Sequence, residues 1–295
     1  MIAAIQNSNL YFRSARTTRP KLRSCWRADE AQENEPTEVR QLADKDTTVQ
    51  GVVVHFQKDG HGKPVLLLHG WGGNHNSWFP IYERLKKMFE VFALDLPGFG
   101  QSGSPDLNWQ LDDYAGFLKM FIRQEIGENV SLIGHSFGGQ AAIRLASLCP
   151  QMVSKLVLTD SAGIRNLGNP KKMGIMQLAK IGKSLFSLPG LNKFQEKARQ
   201  KLYRIIGEHD YEEAGVLREI FKNIINEDIR KDLPQIFIPA LIIWGGKDKI
   251  TPLKDGRLMQ KLLPDSQLVV FENGSHFAYL EEPERFTRQV VDFLK

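Results

Sequence analysis

The sequence predicts an α/β fold, with a mostly parallel central sheet, helices on both faces and a helical lid inserted before the penultimate strand. Three observations carry that prediction. Short apolar runs of strand length alternate with stretches of helix length from about residue 47 to the C-terminus. The apolar runs are nearly continuous, as in strands buried on both faces. One interval of about 70 residues between two of the runs is far longer than a crossover needs and carries helical patterns of its own.

Residues 28–46 are acidic, contain Gln, Asn and Pro36, and have the composition of a linker, so the folded domain is expected to start near Thr47. A β-region at 48–57 and a turn at Asp59-Gly60-His61-Gly62 lead to the apolar run 65–68, a buried strand that ends at His69-Gly70. A helix is predicted near 77–88, a strand at 91–94, a helix at 111–126, a strand at 130–133, a helix at 136–148 and a strand at 155–158. The interval 163–232 follows, with helical patterns at 175–186, 191–205 and 211–225. Alternation then resumes with a strand at 240–244, a helix at 258–263, a strand at 268–271 and a helix at 284–294. Domains are therefore expected as a tail at 1–46, a core at 47–162 plus 233–295, and a lid at 163–232.

Composition narrows the function. Of 39 basic and 34 acidic residues, six basic and no acidic ones fall within 1–27, leaving 33 against 34 beyond. The positive charge thus belongs to the tail, and a nucleic-acid partner loses its support. Two cysteines, Cys25 and Cys149, exclude a disulfide scaffold and a Cys-rich zinc site. No run approaches the roughly 18 apolar residues of a membrane span. The acid-free, Arg-rich segment 1–27 fits an organelle transit peptide and fits a solvated tail equally well. The chain is otherwise expected to be soluble, intracellular and cytoplasmic.

The strongest chemical signal is Gly134-His135-Ser136-Phe137-Gly138, directly after the strand at 130–133 and before a helix rich in small residues. A serine on a sharp strand-to-helix turn exposes its hydroxyl, and the flanking glycines keep side chains out of the turn. The helix beginning there adds backbone N–H groups and partial positive charge. A serine needs a base, and the base an orienting acid. His276, after the last strand, and Asp248, after the strand at 240–244, supply both in the chain order Ser136, Asp248, His276. Asp160 also ends a strand and competes for the acid role. Oxyanion donors are expected from the Phe137 N–H and, in the loop His69-Gly70-Trp71-Gly72-Gly73, the Trp71 N–H. Gly70 and His135 are expected to line the substrate site. The glycine loop lacks the Lys-Ser/Thr of a phosphate-binding loop.

Over roughly residues 52–294 these motifs resemble the α/β-hydrolase family. His69-Gly70-Trp71-Gly72 is similar to the family's oxyanion loop, Gly134 to Gly139 to its nucleophile elbow, Gly246 to Asp248 to its acid loop, and Gly274 to His276 to its histidine loop. In Asp95-Leu96-Pro97-Gly98-Phe99-Gly100 the resemblance implies a structural Asp95. A serine nucleophile disfavours the dehalogenase and epoxide hydrolase branches. Phe277, Ala278 and Tyr279 after His276 depart from the Trp usual in meta-cleavage carbon–carbon hydrolases. Perhydrolases share the triad and are not separable by motif.

Within 163–209 ten Lys/Arg stand against Glu196 and Glu208, interleaved with apolar residues. This is the pattern of a lid whose apolar face covers the site and whose lysines are solvated. A second reading has the lid touching anionic membrane surfaces. The expected activity is serine hydrolysis of a small-molecule ester or acyl substrate, with no metal, cofactor or nucleic acid. Carbon–carbon hydrolysis and a non-enzymatic ligand receptor on the same scaffold are the alternatives.

Overall fold

The computed structural model describes residues 43–127, 129–165 and 217–295. All lie within the compact unit Gln41–Lys295. Eight strands form one sheet: β1 (Ala43–Val49), β2 (Val52–Gly60), β3 (Pro64–Leu68), β4 (Glu90–Leu94), β5 (Val130–His135), β6 (Val153–Thr159), β7 (Ala240–Gly245) and β8 (Ser266–Phe271). Their order is β1-β2-β4-β3-β5-β6-β7-β8. β1 with β2 and β2 with β4 are antiparallel, and every other neighbouring pair is parallel.

The predicted β-region at 48–57 is a hairpin rather than one strand. Gln50 and Gly51 both have positive φ, 51° and 80°, the backbone of a tight two-residue turn that suits strand twist. The pairing Val49↔Val52 through Ala43↔Lys58 extends the fold four residues ahead of the expected start at Thr47. Asp44, Lys45 and Asp46 read as linker because β1 is an edge strand, where exposed charges discourage pairing with other chains.

Side chains of the buried strands sort to opposite faces with period two. Leu66 and Leu68 of β3 join a core with Phe92 and Leu94, covered by helices α2 (Leu111–Phe121) and α3 (Phe137–Leu148). Val65 and Leu67 join a second core with Val91 and Ala93, covered by helix α1 (Phe79–Leu85). Helices α4 (Arg218–Asn226), α5 (Leu253–Leu262), α6 (Ala278–Glu281) and α7 (Pro283–Leu294) complete the described α-helices. α7 joins the second core through Phe286, Val290 and Leu294. Each fully buried Leu or Phe contributes about 1.5–3 kcal/mol, so both faces of the sheet are sealed by its helices.

The helix expected at 77–88 is a 3-10 turn (His75–Trp78) followed by α1, and the one expected at 111–126 ends its regular part at Phe121 before a π turn (Ile122–Ile126). α5 starts five residues earlier than expected, directly after Pro252. The helical patterns predicted at 175–186 and 191–205, and with them the basic face of the lid, lie outside the described residues. No described helix is long and apolar enough to cross a membrane.

Parallel register aligns the carboxyl ends of the central strands. Leu68 pairs with Gly134, His135 with Thr159, and Gly245 with Phe271. From β3 the chain turns one way to β4 and the other way to β5. This reversal of strand order opens a crevice beyond the carboxyl ends, where open α/β sheets place ligands.

Candidate active site

Ser136 follows β5 and precedes α3 with φ 50° and ψ −114°, a conformation L residues rarely adopt. Such backbone costs about 1–3 kcal/mol and persists only when its surroundings impose it. Here the Ser136 N–H donates to the Thr159 carbonyl at 3.2 Å, while its own carbonyl accepts from Gln140 and Ala162 at 3.1 and 3.0 Å. A Cβ on Gly134 would lie 2.6 Å from the Gly138 oxygen, and one on Gly138 would lie 2.2 Å from the Leu68 oxygen. The turn is closed to side chains at both positions.

The glycine loop lies directly against this turn. A Cβ on Gly70 would sit 3.2 Å from the Ser136 Cβ and 2.8 Å from His135 Nδ1. His69 fixes the loop from beneath: its Nδ1–H donates to the Gly70 carbonyl at 2.8 Å and its Nε2 accepts from the Leu96 N–H at 3.0 Å. Burial pulls the His69 pKa down to about 4, so the ring is neutral and this tautomer is the one both bonds require. The N–H of Phe137 opens α3 and has no intrahelical acceptor, leaving it available at the elbow.

His276 and Asp248 are brought together by the loops after β8 and β7. The His276 Nδ1–H donates to Asp248 Oδ2 at 2.8 Å, which leaves Nε2 as the proton acceptor. Asp248 also accepts from the N–H groups of Ile250 and Thr251 at 2.7 and 3.0 Å and lies 2.7 Å from the Thr251 hydroxyl. Burial alone raises a carboxyl pKa, but the bonds from His276, Thr251 and Ile250 outweigh it and hold Asp248 below its ordinary value.

Asp160 stands behind Asp248 rather than against His276. It is wholly buried with φ 47°, accepts from the Gly245 N–H at 2.8 Å and lies 3.1 Å from the Thr159 hydroxyl. Burial, reinforced by the adjacent Asp248 charge, holds its carboxyl far above the usual carboxylate range. Of the two acids that end strands, Asp248 is the one bonded to the histidine.

His135 is buried between the elbow and the histidine loop. Its Nε2–H donates to the His276 carbonyl at 2.8 Å, and the two rings lie 4.8 Å apart. Burial, then the neighbouring His276, brings its pKa down to about 3, so it is a neutral strut that fixes His276 relative to Ser136.

An aromatic wall adjoins the glycine loop. The Trp71 ring lies 4.9 Å from Phe99, 5.5 Å from Phe137 and 4.8 Å from Phe221, and Tyr114 lies 5.0 Å from Phe137. Phe221 comes from α4, in the described C-terminal part of the interval 163–232 that interrupts the sheet. The described ends of that interval meet at the elbow: Ala162 bonds Ser136, and the Ile229 N–H donates to the Gly163 carbonyl at 3.0 Å. Thr251 and Phe221 were not singled out from the sequence. Thr251 had a local signal, because an aspartate commonly accepts from N–H groups two or three residues on. Phe221 had none, since helical spacing alone does not reveal which surface a helix meets.

A family model described as the alpha/beta hydrolase family matches residues 65–289. The chain belongs to that family. It is 31% identical over 268 residues to the AB hydrolase superfamily protein YisY of Bacillus subtilis, covering 83% of this chain and 97% of that protein. It is 27% identical over 257 residues to a pimeloyl-[acyl-carrier protein] methyl ester esterase of Legionella pneumophila, covering 82% and 99%. Among solved structures, the esterase of Exiguobacterium antarcticum superposes with TM-score 0.65 at 25% identity, covering 84% of this chain and 98% of the other. The enol-lactonase of Burkholderia xenovorans LB400 shares the fold at TM-score 0.66 and 23% identity, covering 85% and 99%.

Proposed function

We propose that this alpha/beta hydrolase cleaves carboxylic esters through an acyl-enzyme on Ser136. The observation that carries the reading is the 2.8 Å bond between His276 Nδ1 and Asp248, formed at the same sheet edge as the strained Ser136. In the first half-reaction His276 Nε2 takes the hydroxyl proton as Ser136 Oγ attacks the ester carbonyl carbon. The developing oxyanion is held by the N–H groups of Phe137 and Trp71. Collapse expels the alcohol, which receives the proton from His276, and water then repeats the sequence to release the acid. Asp248 keeps the imidazole in the required tautomer and stabilises its protonated form. No step calls for a metal or cofactor.

One relative matched over 99% of its own length is named as a methyl ester esterase, which favours an ester over a carbon–carbon substrate. The wall of Trp71, Phe99, Phe137 and Phe221 supports an acyl group with apolar surface. The interval 163–232 is read as a lid, because its two ends are pinned together beside Ser136.

The test is labelling by a fluorophosphonate probe together with turnover of an ester series. Wild-type protein is expected to label, Ser136→Ala not at all, and His276→Ala and Asp248→Asn to lose about two to four orders of magnitude in kcat/KM. Folded wild-type protein that neither labels nor turns over any ester disproves the reading.

A further inference from the structure

Of the described imidazoles outside the triad, those of His55 and His75 each have one nitrogen held by a carboxylate. His55 on β2 donates from Nδ1 to Asp46 at 2.9 Å, and His75, just after the glycine loop, donates from Nδ1 to Asp95 at 2.8 Å. Both rings are buried, and their centroids are 5.1 Å apart. One nitrogen of each ring and a carboxylate oxygen of Asp44 on β1 all lie within 4.8 Å of one another. His55 Nε2 itself is 3.9 Å from Asp44 Oδ1.

The surrounding charge has one sign. Asp44, Asp46 and Asp95 form no ion pair with Lys or Arg among the described residues. Asp95 is wholly buried and is kept ionised by bonds from the N–H groups of His75 and Gln101, at 2.6 and 2.7 Å, and from the His75 ring. Three carboxylates without a Lys or Arg partner therefore gather around two imidazole rings. A carboxylate on Nδ1 of each ring is the kind of contact that orients histidines toward a metal ion.

We propose that His55, His75 and Asp44 bind a divalent ion of the zinc class, with Asp46 and Asp95 as the groups that orient the two histidines. Two imidazoles and one carboxylate suit Zn²⁺, and water completes a tetrahedral set. Ligand atoms in such a set stand closer together than 4.8 Å, and the exposed Asp44 side chain supplies the needed movement. The Gln101 amide, which donates to His55 Nε2 at 3.1 Å, is on an exposed residue and swings aside as the ion enters. The ion ties the edge strand β1 to β2 and to the turn after the loop carrying Trp71. It takes no part in the hydrolytic chemistry, so the site stands whether or not Ser136 is a nucleophile.

The test titrates the chelator-treated full-length protein with Zn²⁺ against a chromogenic chelator, and with Co²⁺ while visible absorption is recorded. Wild type is expected to take up one tightly bound Zn²⁺, to give a Co²⁺ spectrum of histidine ligation, and to melt at higher temperature with Zn²⁺. Asp44→Asn and His55→Gln are each expected to weaken uptake at least about tenfold and to remove the thermal shift, and Asp46→Asn to weaken it by about 10–100-fold. His75→Gln also loses its bond to Asp95 and can unfold for that reason. The exposed Asp44→Asn change carries the decision in that case. Wild-type protein that takes up no Zn²⁺ in the micromolar range, or uptake unmoved by both Asp44→Asn and His55→Gln, overturns the proposal.

Discussion

Asp160 and Asp248 show how burial assigns different protonation states to two similar side chains. Asp248 is surrounded by donors and stays ionised, whereas Asp160 is buried beside that charge and keeps its proton at neutral pH, with a pKa pushed up to about 8. A carboxyl whose folded pKa lies above its unfolded one binds more protons in the folded state between the two values. Stability therefore falls as pH rises across that window and levels off above the folded pKa. Wild-type protein is expected to lose up to about 1 kcal/mol per pH unit between pH 6 and 8 from this one group. Asp160→Asn keeps an acceptor for the Gly245 N–H and a donor toward Asp248, and should flatten that decline. Urea unfolding of both proteins at pH 6, 7 and 8 checks this, and parallel pH profiles would disprove it. The sequence could not separate these acids, because each ends a strand at the same sheet edge. Only the direction of the side chains, set by the positive φ at Asp160 and the Asp248 turn, does so.

At the scale of elements, alternation of strands and helices was readable because strands buried on both faces are short near-continuous apolar runs, set apart from the helical stretches between them. The misread pieces are those whose role depends on a partner. β1 is acidic and half-exposed and becomes a strand only by pairing with β2, and Gln50-Gly51 lacks the Asn-Gly or Asp-Gly signature of a hairpin. The cluster of Asp44, His55 and His75 was invisible for the same reason, since its members come from three separate segments. Glycine at 138, read from the sequence as keeping the turn open, also lets α3 approach the end of β3, and alanine substitutions at two helix glycines test what such positions tolerate. In Gly138→Ala the new Cβ meets backbone oxygens of Leu68 and His69 at 2.2 and 2.6 Å, and backbone cannot step aside as a side chain can. A stability loss of about 2 kcal/mol or more is expected, with loss of labelling as the Phe137 N–H shifts. Gly116→Ala, within α2, meets nothing within 4 Å and should instead stabilise by roughly 0.5–1 kcal/mol. Denaturant midpoints of the two variants are to move in opposite directions.

For the whole molecule, the parallel strands β3 to β8 bring the loops after their carboxyl ends to one sheet edge, and every residue of the proposed triad and oxyanion hole lies on or directly after one of them. All eight described strands and both cores fall within Gln41–Lys295. A chain beginning at Gln41 is therefore expected to fold, to melt within about 2 °C of the full-length protein and to label equally with fluorophosphonate. That outcome is what a removable leader at 1–27 requires, because cleavage must leave the fold intact. A chain beginning at Gly51 lacks β1 and with it the pairing from Ala43↔Lys58 to Val49↔Val52. Its β2 becomes the edge, presenting unpaired N–H and C=O groups without the charges of Asp44, Lys45 and Asp46 that discourage association. Aggregation and a lower melting temperature are expected for this shorter chain, along with loss of the Zn²⁺ uptake that needs Asp44. Melting curves and size-exclusion profiles of the two truncations decide the matter. Equal behaviour of both would mean that β1 contributes nothing to the sheet's integrity, and a Gln41 chain that fails to fold would place an essential part of the molecule upstream.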